Sequence, residues 1–264
     1  MFPADCRICG APLLKISRLP VCEDCLASMR PIAGGVCSIC GEGLVSPYAF
    51  SGEQAEPRCG LCRRIEPPFT KAAAYGSYDG GLRDLIHLLK YDHVRPAANV
   101  LGRMLAEVIA NLRTSFGDAQ LLVVPVPLHV RKFRQRGFNQ AELIAAAALK
   151  LKPVGEQLTL AASILERQRE TKSQIGLTRH QRRENMRGAF RVTQPAQVQD
   201  REILLVDDVF TTGTTASECA RILRRAGARK VFVATVARTL KQEATHAVSE
   251  QDAEEARLVM AAHG

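Results

Sequence analysis

Long apolar runs are missing from this sequence of 264 residues. Its longest apolar runs, such as Leu121 to Leu128, are far shorter than the roughly 20 apolar residues that cross a bilayer as a helix. The sequence also does not start with a basic region followed by an apolar one, which is the pattern of a secretory signal. We therefore expect a soluble, cytoplasmic protein without a transmembrane segment.

Acidic residues are too few to balance the basic ones. Asp and Glu number 27 against 36 Lys and Arg, which gives a formal net charge of +9. This excess favours anionic partners such as polyphosphates, nucleic acid or an acidic membrane surface, without choosing among them. Hydrophobic residues make up 46% of the chain, enough for a full α/β core and a small accessory module. The composition therefore predicts two domains.

Cysteine is abundant only near the start, where eight of the nine cysteines form Cys-x-x-Cys pairs. Two such pairs complete a Cys₄ zinc site, and four thiolates leave no open position for catalysis. We expect two structural zinc sites. Pairing in chain order leaves spacers of 12 residues (10–21) and 18 residues (41–58), whereas interleaved pairing or disulfides in an oxidising compartment are the alternatives. The eight candidate ligands are Cys6, Cys9, Cys22, Cys25, Cys37, Cys40, Cys59 and Cys62.

A second motif runs from Ile203 to Thr215. The apolar run Ile203 to Val206 predicts a buried parallel strand, and an acidic pair and the run Thr-Thr-Gly-Thr-Thr follow it. Hydroxyls and backbone amides at a helix N-terminus bind phosphate, and carboxylates accept hydrogen bonds from sugar hydroxyls. The motif therefore indicates a ribose 5-phosphate site. The sequence lacks the Gly-Lys-Ser/Thr of an NTPase P-loop here, and the competing interpretation is a threonine-capped turn with a solvated acidic pair.

This stretch resembles the phosphoribosyl-diphosphate (PRPP) signature of type I phosphoribosyltransferases. The resemblance implies an α/β fold, a parallel sheet flanked by helices, in which Asp207 and Asp208 bind the ribose hydroxyls at the catalytic centre. It also implies that Mg²⁺ accompanies PRPP, because hard oxygen ligands suit that ion. The residues implied to hold the 5-phosphate are Thr211, Thr212, Gly213, Thr214 and Thr215.

Two basic segments precede this motif. Residues 127–140 predict a loop with four cations and no acid, namely Arg131, Lys132, Arg134 and Arg136. Such a loop suits a diphosphate, for which the resemblance implies Arg131 and Lys132. The cations alternate with Phe133 and Phe138, which also suits single-stranded nucleic acid, and a solvated turn is the third interpretation. Residues 166–191 hold eight Lys/Arg against three Glu and end near Phe190, which suggests a mobile lid or a solvated basic helix.

Other segments predict the remaining elements of the sheet. Strands are expected at Ala72–Tyr78, Leu121–Val126, Thr159–Leu165 and Lys230–Ala237, the last one parallel to the strand at Ile203. Apolar residues at helical spacing predict a helix that opens at Gly80–Gly81 and a second one through Leu112, and Cys219 is expected to be a packed core thiol.

The whole pattern, including the basic runs at 127–140 and 166–191, resembles the ComF family, which is associated with competence for DNA uptake. We expect a double zinc-ribbon-like domain at 1–66, a phosphoribosyltransferase-like domain at 67–240 and a polar tail at 241–264. Two functions stay open. One is a glycosyltransferase that moves phosphoribosyl from PRPP to an acceptor. The other is a single-stranded DNA-binding or regulatory protein that uses the PRPP pocket as a sensor, with DNA-uptake machinery at the inner face of the membrane as its partner.

Overall fold

A computed structural model describes residues 5–15, 17–44, 56–117, 120–170 and 179–240. In chain order the helices are α1 (Glu23–Ser28), α2 (Gly60–Arg64), α3 (Gly80–Lys90), α4 (Ala97–Leu112), α5 (Val130–Arg136), α6 (Gln140–Leu149), α7 (Arg179–Met186), α8 (Pro195–Val198) and α9 (Thr214–Arg225). The strands are β1 (Lys71–Ser77), β2 (Leu121–Pro125), β3 (Pro153–Glu156), β4 (Leu158–Leu160), β5 (Leu165–Arg167), β6 (Phe190–Val192), β7 (Glu202–Phe210) and β8 (Lys230–Arg238). The tail at 241–264 lies outside the described residues.

A five-stranded parallel sheet forms the centre of the molecule, in the order β1-β8-β7-β2-β4. Strands β7 and β8 are buried on both faces, as their uninterrupted apolar runs predict. Helices α3, α4 and α6 contribute to the core cluster on one face, and α9 contributes to the cluster on the other. The predicted parallel pairing of β7 with β8 across α9 is confirmed.

Three predictions of secondary structure are wrong. The strand expected at Thr159–Leu165 is two short strands, β4 beside β2 and β5 in an antiparallel pair with β6. Residues 127–140 contain helix α5, because His129 caps its first turn and Gly137, at φ +75°, ends it in the left-handed conformation. The strand at Ile203 continues to Phe210, so the acidic pair lies inside β7.

The cysteine-rich segment covers the edge strand β1. The Ile32 amide donates to the Tyr75 carbonyl at 2.7 Å, and the Ala72 amide donates to the Ile39 carbonyl at 2.7 Å. Cys6 belongs to the same core cluster as Leu82 of α3, whereas Cys37 and Cys40 belong to the cluster of the opposite face. The segment therefore stabilises an edge that would otherwise expose unpaired backbone groups.

Helices of sufficient length and apolar character to cross a membrane do not occur in the described ranges.

Candidate functional site

The eight paired cysteines form two four-thiol clusters, one of Cys6, Cys9, Cys22 and Cys25 and one of Cys37, Cys40, Cys59 and Cys62. Pairing in chain order is therefore confirmed. Sulfur atoms lie 3.9 Å apart between Cys6 and Cys25, 3.7 Å between Cys9 and Cys22, and 3.6 Å between Cys40 and Cys59. A tetrahedral ion with metal–sulfur bonds of about 2.3 Å requires sulfur separations of about 3.8 Å. Each cluster can thus hold one metal ion.

The hydroxyl-rich loop leads directly into α9, as the motif predicts. Gly213 caps the helix at φ +73°, and a Cβ atom at this position would lie 2.5 Å from Cζ of Phe210. A residue with a side chain would therefore distort the turn. The hydroxyl oxygens of Thr212 and Thr214 lie 2.8 Å apart. The loop presents hydroxyls beside the amides of a helix N-terminus, which is a suitable site for a phosphate group.

Asp208 is held by side chains from two helices. Lys90, the last residue of α3, forms an ion pair with its carboxylate, and Nε2 of Gln140 donates to Oδ1 at 3.1 Å. The residue is only 3% exposed. Burial alone would raise the pKa of Asp208, but the Lys90 ammonium outweighs burial and lowers that pKa below its ordinary value. Asp208 is therefore ionised at neutral pH.

Asp207 lies in a different environment, because successive side chains of a strand point to opposite faces. Its Oδ1 accepts a hydrogen bond from the Asp208 amide at 2.9 Å, and the residue keeps some contact with solvent. Burial of the carboxyl, followed by the charge of Asp208, raises the pKa of Asp207 well above its ordinary value. On this side of β7 the thiol of Cys219 is fully buried in the core, as predicted, and burial raises its pKa.

Helix α5 separates its four cations by face. Burial, followed by the charges of Arg167, Arg136 and Lys90, lowers the pKa of Lys132, so these cations share one electrostatic environment. The Arg136 guanidinium lies 5.7 Å from the Tyr91 ring centroid and donates to Gln140. The other two cations, Arg131 and Arg134, lie on the opposite face, and Arg131 pairs with Glu170 at 3.3 Å. Lys132 is exposed as they are, and Arg136 is partly buried.

Two of the aromatic rings expected to stack on nucleic-acid bases are not available for that purpose. Phe138 is 6% exposed and carries the Arg95 guanidinium 5.1 Å from its ring centroid. Phe190 is 3% exposed and lies in the β5–β6 pair under Arg167. Phe133, at 46% exposure, keeps an accessible ring. This part of the single-strand prediction is therefore wrong.

The basic segment at 166–191 is anchored to the core near its C-terminal end, although most of its described charged residues are exposed. Met186 and Ala189 are fully buried, and the Gly188 amide donates to Glu218 of α9 at 2.9 Å. Arg169 donates to the carbonyls of Asn185 and Arg187 at 2.8 and 3.0 Å. Residues 171–178, where the predicted lid would have its tip, lie outside the described residues.

A cavity of about 580 Å³ lies between the second cysteine cluster, α7 and α9. The loop residues Thr211, Thr212, Gly213 and Thr214 form part of its wall, but Asp207 and Asp208 do not. Much of the remaining wall is apolar and includes Leu61, Pro67, Phe69, Met186 and Phe210. The hydroxyl-rich loop therefore contacts open space on the side of the second cysteine cluster as well.

Sequence reasoning missed Lys90 and left Gln140 without a role. Lys90 follows the apolar face of α3 at the helix C-terminus, where a lysine is ordinary and carries no functional signal. Gln140 stands in the quoted run at 127–140, but only the packing of α6 brings its amide to Asp208. The sequence around Lys90 or Gln140 contains no pattern that identifies either residue as part of the site.

Comparison with known proteins agrees with this architecture. Residues 139–256 match the sequence model of the phosphoribosyl transferase domain. The DNA utilization protein YhgH of Salmonella typhimurium strain LT2 is 33% identical over 242 residues, which cover 90% of this chain and 98% of that protein. The protein of the same name in Escherichia coli K12 is 33% identical over 241 residues, with the same coverage.

A third relative is named for DNA uptake. Competence protein F of Haemophilus influenzae is 30% identical over 225 residues, which cover 82% of this chain and 96% of that protein. The similarity to all three relatives thus includes both the cysteine-rich segment and the parallel sheet. The chain belongs to the ComF family, in which a type I phosphoribosyltransferase fold follows a cysteine-rich segment able to hold metal.

Proposed function

We propose that this protein binds PRPP with Mg²⁺ and transfers its phosphoribosyl group to an acceptor. The observation that carries the proposal is the position of an acidic pair just before a hydroxyl-rich helix N-terminus, within a group of cations. Residues Thr211–Thr215 would hold the 5-phosphate, and Asp207 and Asp208 would accept hydrogen bonds from the ribose hydroxyls. The diphosphate would contact Lys132, with Arg131 joining from the rim once it leaves Glu170.

The chemistry would break the bond between C1 of the ribose and the diphosphate oxygen. The electron pair leaves with the diphosphate, C1 develops positive charge, and the acceptor nucleophile then bonds to C1. Lys132 and Arg136 would stabilise the negative charge on the leaving group, and the phosphate loop would fix the ribose in position. Mg²⁺ would neutralise diphosphate charge when bound. The carboxylate of Asp207 would be a suitable hard oxygen ligand for that ion.

A second candidate is a DNA-binding or regulatory protein that uses the PRPP pocket as a sensor. The names of the relatives, DNA utilization protein and competence protein, favour it. The exposed Arg131, Phe133 and Arg134 of α5 offer charge and one aromatic ring to single-stranded DNA. DNA-uptake machinery at the inner face of the membrane would then be the partner. A site that held only DNA phosphates would gain nothing from the acidic pair, which favours the transferase.

Zinc is the ion proposed for both clusters, because four thiolates at tetrahedral spacing suit it. The eight ligands must remain reduced to bind metal, and the proposal therefore includes a cytoplasmic location.

The proposal can be tested by thermal unfolding with Mg²⁺ and PRPP. PRPP at 100 times its Kd should stabilise the protein by about 2.7 kcal/mol, which corresponds to a rise in Tm of roughly 5–10 °C. The double variant Asp207→Asn, Asp208→Asn should show no rise, whereas the exposed Asp200→Asn should respond like the wild type. Equal stabilisation by diphosphate alone would contradict ribose recognition. Release of diphosphate from PRPP in a crystal soak would distinguish transfer from sensing.

A further inference from the structure

Lys90 occupies the place where a ribose hydroxyl would have to bind Asp208. The lysine pairs with Oδ2 of that carboxylate, and Gln140 donates to Oδ1 at 3.1 Å. Both oxygen atoms are therefore engaged by side chains of the protein, and the residue is almost completely buried. A ligand can reach Asp208 only if one of these two groups moves away.

Lys90 is the group that can move. Its side chain is 16% exposed and ends a four-carbon stem with free rotation, at the last residue of α3. Gln140 begins α6, and its other amide atom accepts a hydrogen bond from Arg136. The Gln140 side chain is thus fixed by hydrogen bonds to both Arg136 and Asp208, whereas the Lys90 ammonium is fixed by its ion pair with Asp208.

The charges around the acidic pair provide a second partner for a displaced lysine. The cations Lys90, Lys132, Arg136 and Arg167 lie within electrostatic reach of one another or of the two carboxylates. Glu170 lies near Lys132 and Arg167, so four cations face three carboxylates, and the remaining excess of positive charge favours an anion at this place. A diphosphate bound against Lys132 would lie within the same group of charges as Lys90.

We propose that Lys90 is an exchangeable partner of Asp208 that passes from the carboxylate to the diphosphate when PRPP binds. This inference rests on the proposed function. In the free protein Lys90 keeps Asp208 ionised and occupied. On binding, the ribose hydroxyls replace the ammonium at Asp208, and the ammonium contacts the diphosphate oxygens. Lys90 then binds the diphosphate part of PRPP and does not bind the ribose 5-phosphate part.

The test is titration calorimetry with three ligands: magnesium diphosphate, magnesium PRPP and ribose 5-phosphate. Lys90→Met should weaken diphosphate binding by roughly 10- to 100-fold, the loss expected for one hydrogen bond to a charged group. PRPP binding should weaken as well. Ribose 5-phosphate binding should not weaken and should become tighter if it changes, because this ligand offers Lys90 no diphosphate and the variant removes the ammonium that competes for Asp208. The exposed Lys150→Met is the matched control and should bind all three ligands as the wild type does.

A second variant keeps the test valid if Lys90→Met does not fold. In Lys90→Met, Asp208→Asn both charges of the pair are absent, and the asparagine oxygen still accepts the hydrogen bond from Gln140. Diphosphate should bind this protein roughly 10- to 100-fold more weakly than it binds the wild type. Unchanged diphosphate affinity in either variant, or equal weakening of diphosphate and ribose 5-phosphate, would overturn the role of Lys90 alone. A wild-type protein that binds none of the three ligands would overturn the proposed function and this inference together.

Discussion

Two neighbouring aspartates in β7 have opposite pKa shifts. Asp208 is kept ionised by Lys90, whereas burial and the charge of Asp208 raise the pKa of Asp207. Adjacent strand residues face opposite sides of the sheet, so one carboxylate meets α3 and α6 and the other meets Cys219 and Arg167. One acid is therefore compensated within the protein, and the other carries a cost that a ligand can relieve.

Replacing Asp207 by Asn should stabilise the protein at pH 7. The folded-state pKa of Asp207 lies above its unfolded value of about 3.9, so ionisation of this group destabilises the folded state as pH rises toward the folded pKa. The gain should appear as a higher free energy of unfolding for the variant than for the wild type at pH 7. Urea unfolding at pH 7 measures it.

The same experiment at low pH provides the check. Below about pH 4 both forms of Asp207 are neutral, and the advantage of the Asn variant should disappear. Asp200→Asn, at an exposed position, should change stability little at either pH. Destabilisation by Asp207→Asn at pH 7 would contradict the raised pKa. The stabilised variant should bind PRPP poorly, which is a common relation between stability and function.

At the scale of elements, α5 decides which cations reach the candidate site. In a loop all four basic residues would have similar access to a ligand, but a helix of 3.6 residues per turn places Lys132 and Arg136 on one face. Capping by His129 and Gly137 establishes this helix in the short run between β2 and α6. Arg131 and Arg134 lie on the opposite face. Because Lys132 is exposed as well, the helix face and not burial distinguishes the two pairs.

Arg134 and Arg136 therefore form a matched pair for separating the two candidate functions. Arg136→Ala should weaken the response of Tm to PRPP, because this guanidinium lies beside Gln140 near Asp208. Arg134→Ala should keep that response. If single-stranded DNA binds to the exposed face, Arg134→Ala should reduce the dependence of log K on log salt by about 0.7, the value of one phosphate contact.

Fluorescence anisotropy of a labelled oligonucleotide across a salt series measures this slope. Heparin and duplex DNA are the controls for binding that depends on net charge alone. Equal effects of the two substitutions on both ligands, or competition by heparin as strong as that by single strands, would indicate that the +9 protein binds polyanions without a defined face.

At the scale of the whole molecule, the cysteine-rich segment contacts the sheet at a second place besides the edge strand β1. Arg238 at the end of β8 is buried, forms an ion pair with Glu42 at 2.7 Å and donates to the carbonyl of Cys40. Its guanidinium also lies 5.2 Å from the ring centroid of Phe210, the residue just before the hydroxyl-rich loop. The second cluster is thus connected to the loop through a single buried side chain.

The purified protein should contain close to two zinc ions. Because pairing follows chain order, Cys6→Ser and Cys59→Ser should each lose about one ion and lower Tm, since both clusters pack into the core. Metal analysis by mass spectrometry with thermal unfolding measures both effects. Cys219→Ser should retain both ions, because this cysteine lies apart from the clusters in α9. A metal-free protein with unchanged Tm would contradict the zinc proposal.

The sequence by itself determined those features whose parts are close along the chain. Two thiols at Cys-x-x-Cys spacing lie on one short turn, so the four pairs predict two Cys₄ clusters. An apolar strand, an acidic pair and the run Thr211–Thr215 are consecutive, so the hydroxyl-rich loop and its parallel strand also follow from local order. The alternation of an apolar strand, a helix and a second apolar strand likewise predicts the parallel pair of β7 and β8, but the order of the five strands does not follow from it.

Only the tertiary structure decided which side chains meet at Asp208. Gln140 stands 68 residues away, and Lys90 still further along the chain. Their contact requires α3 and α6 to pack over the same end of β7, and no spacing within either helix indicates it. The burial of Phe138 and Phe190 and the separation of the α5 cations have the same origin. A side chain's exposure and charge environment depend on elements distant in sequence, because packing of the core sets which faces reach solvent.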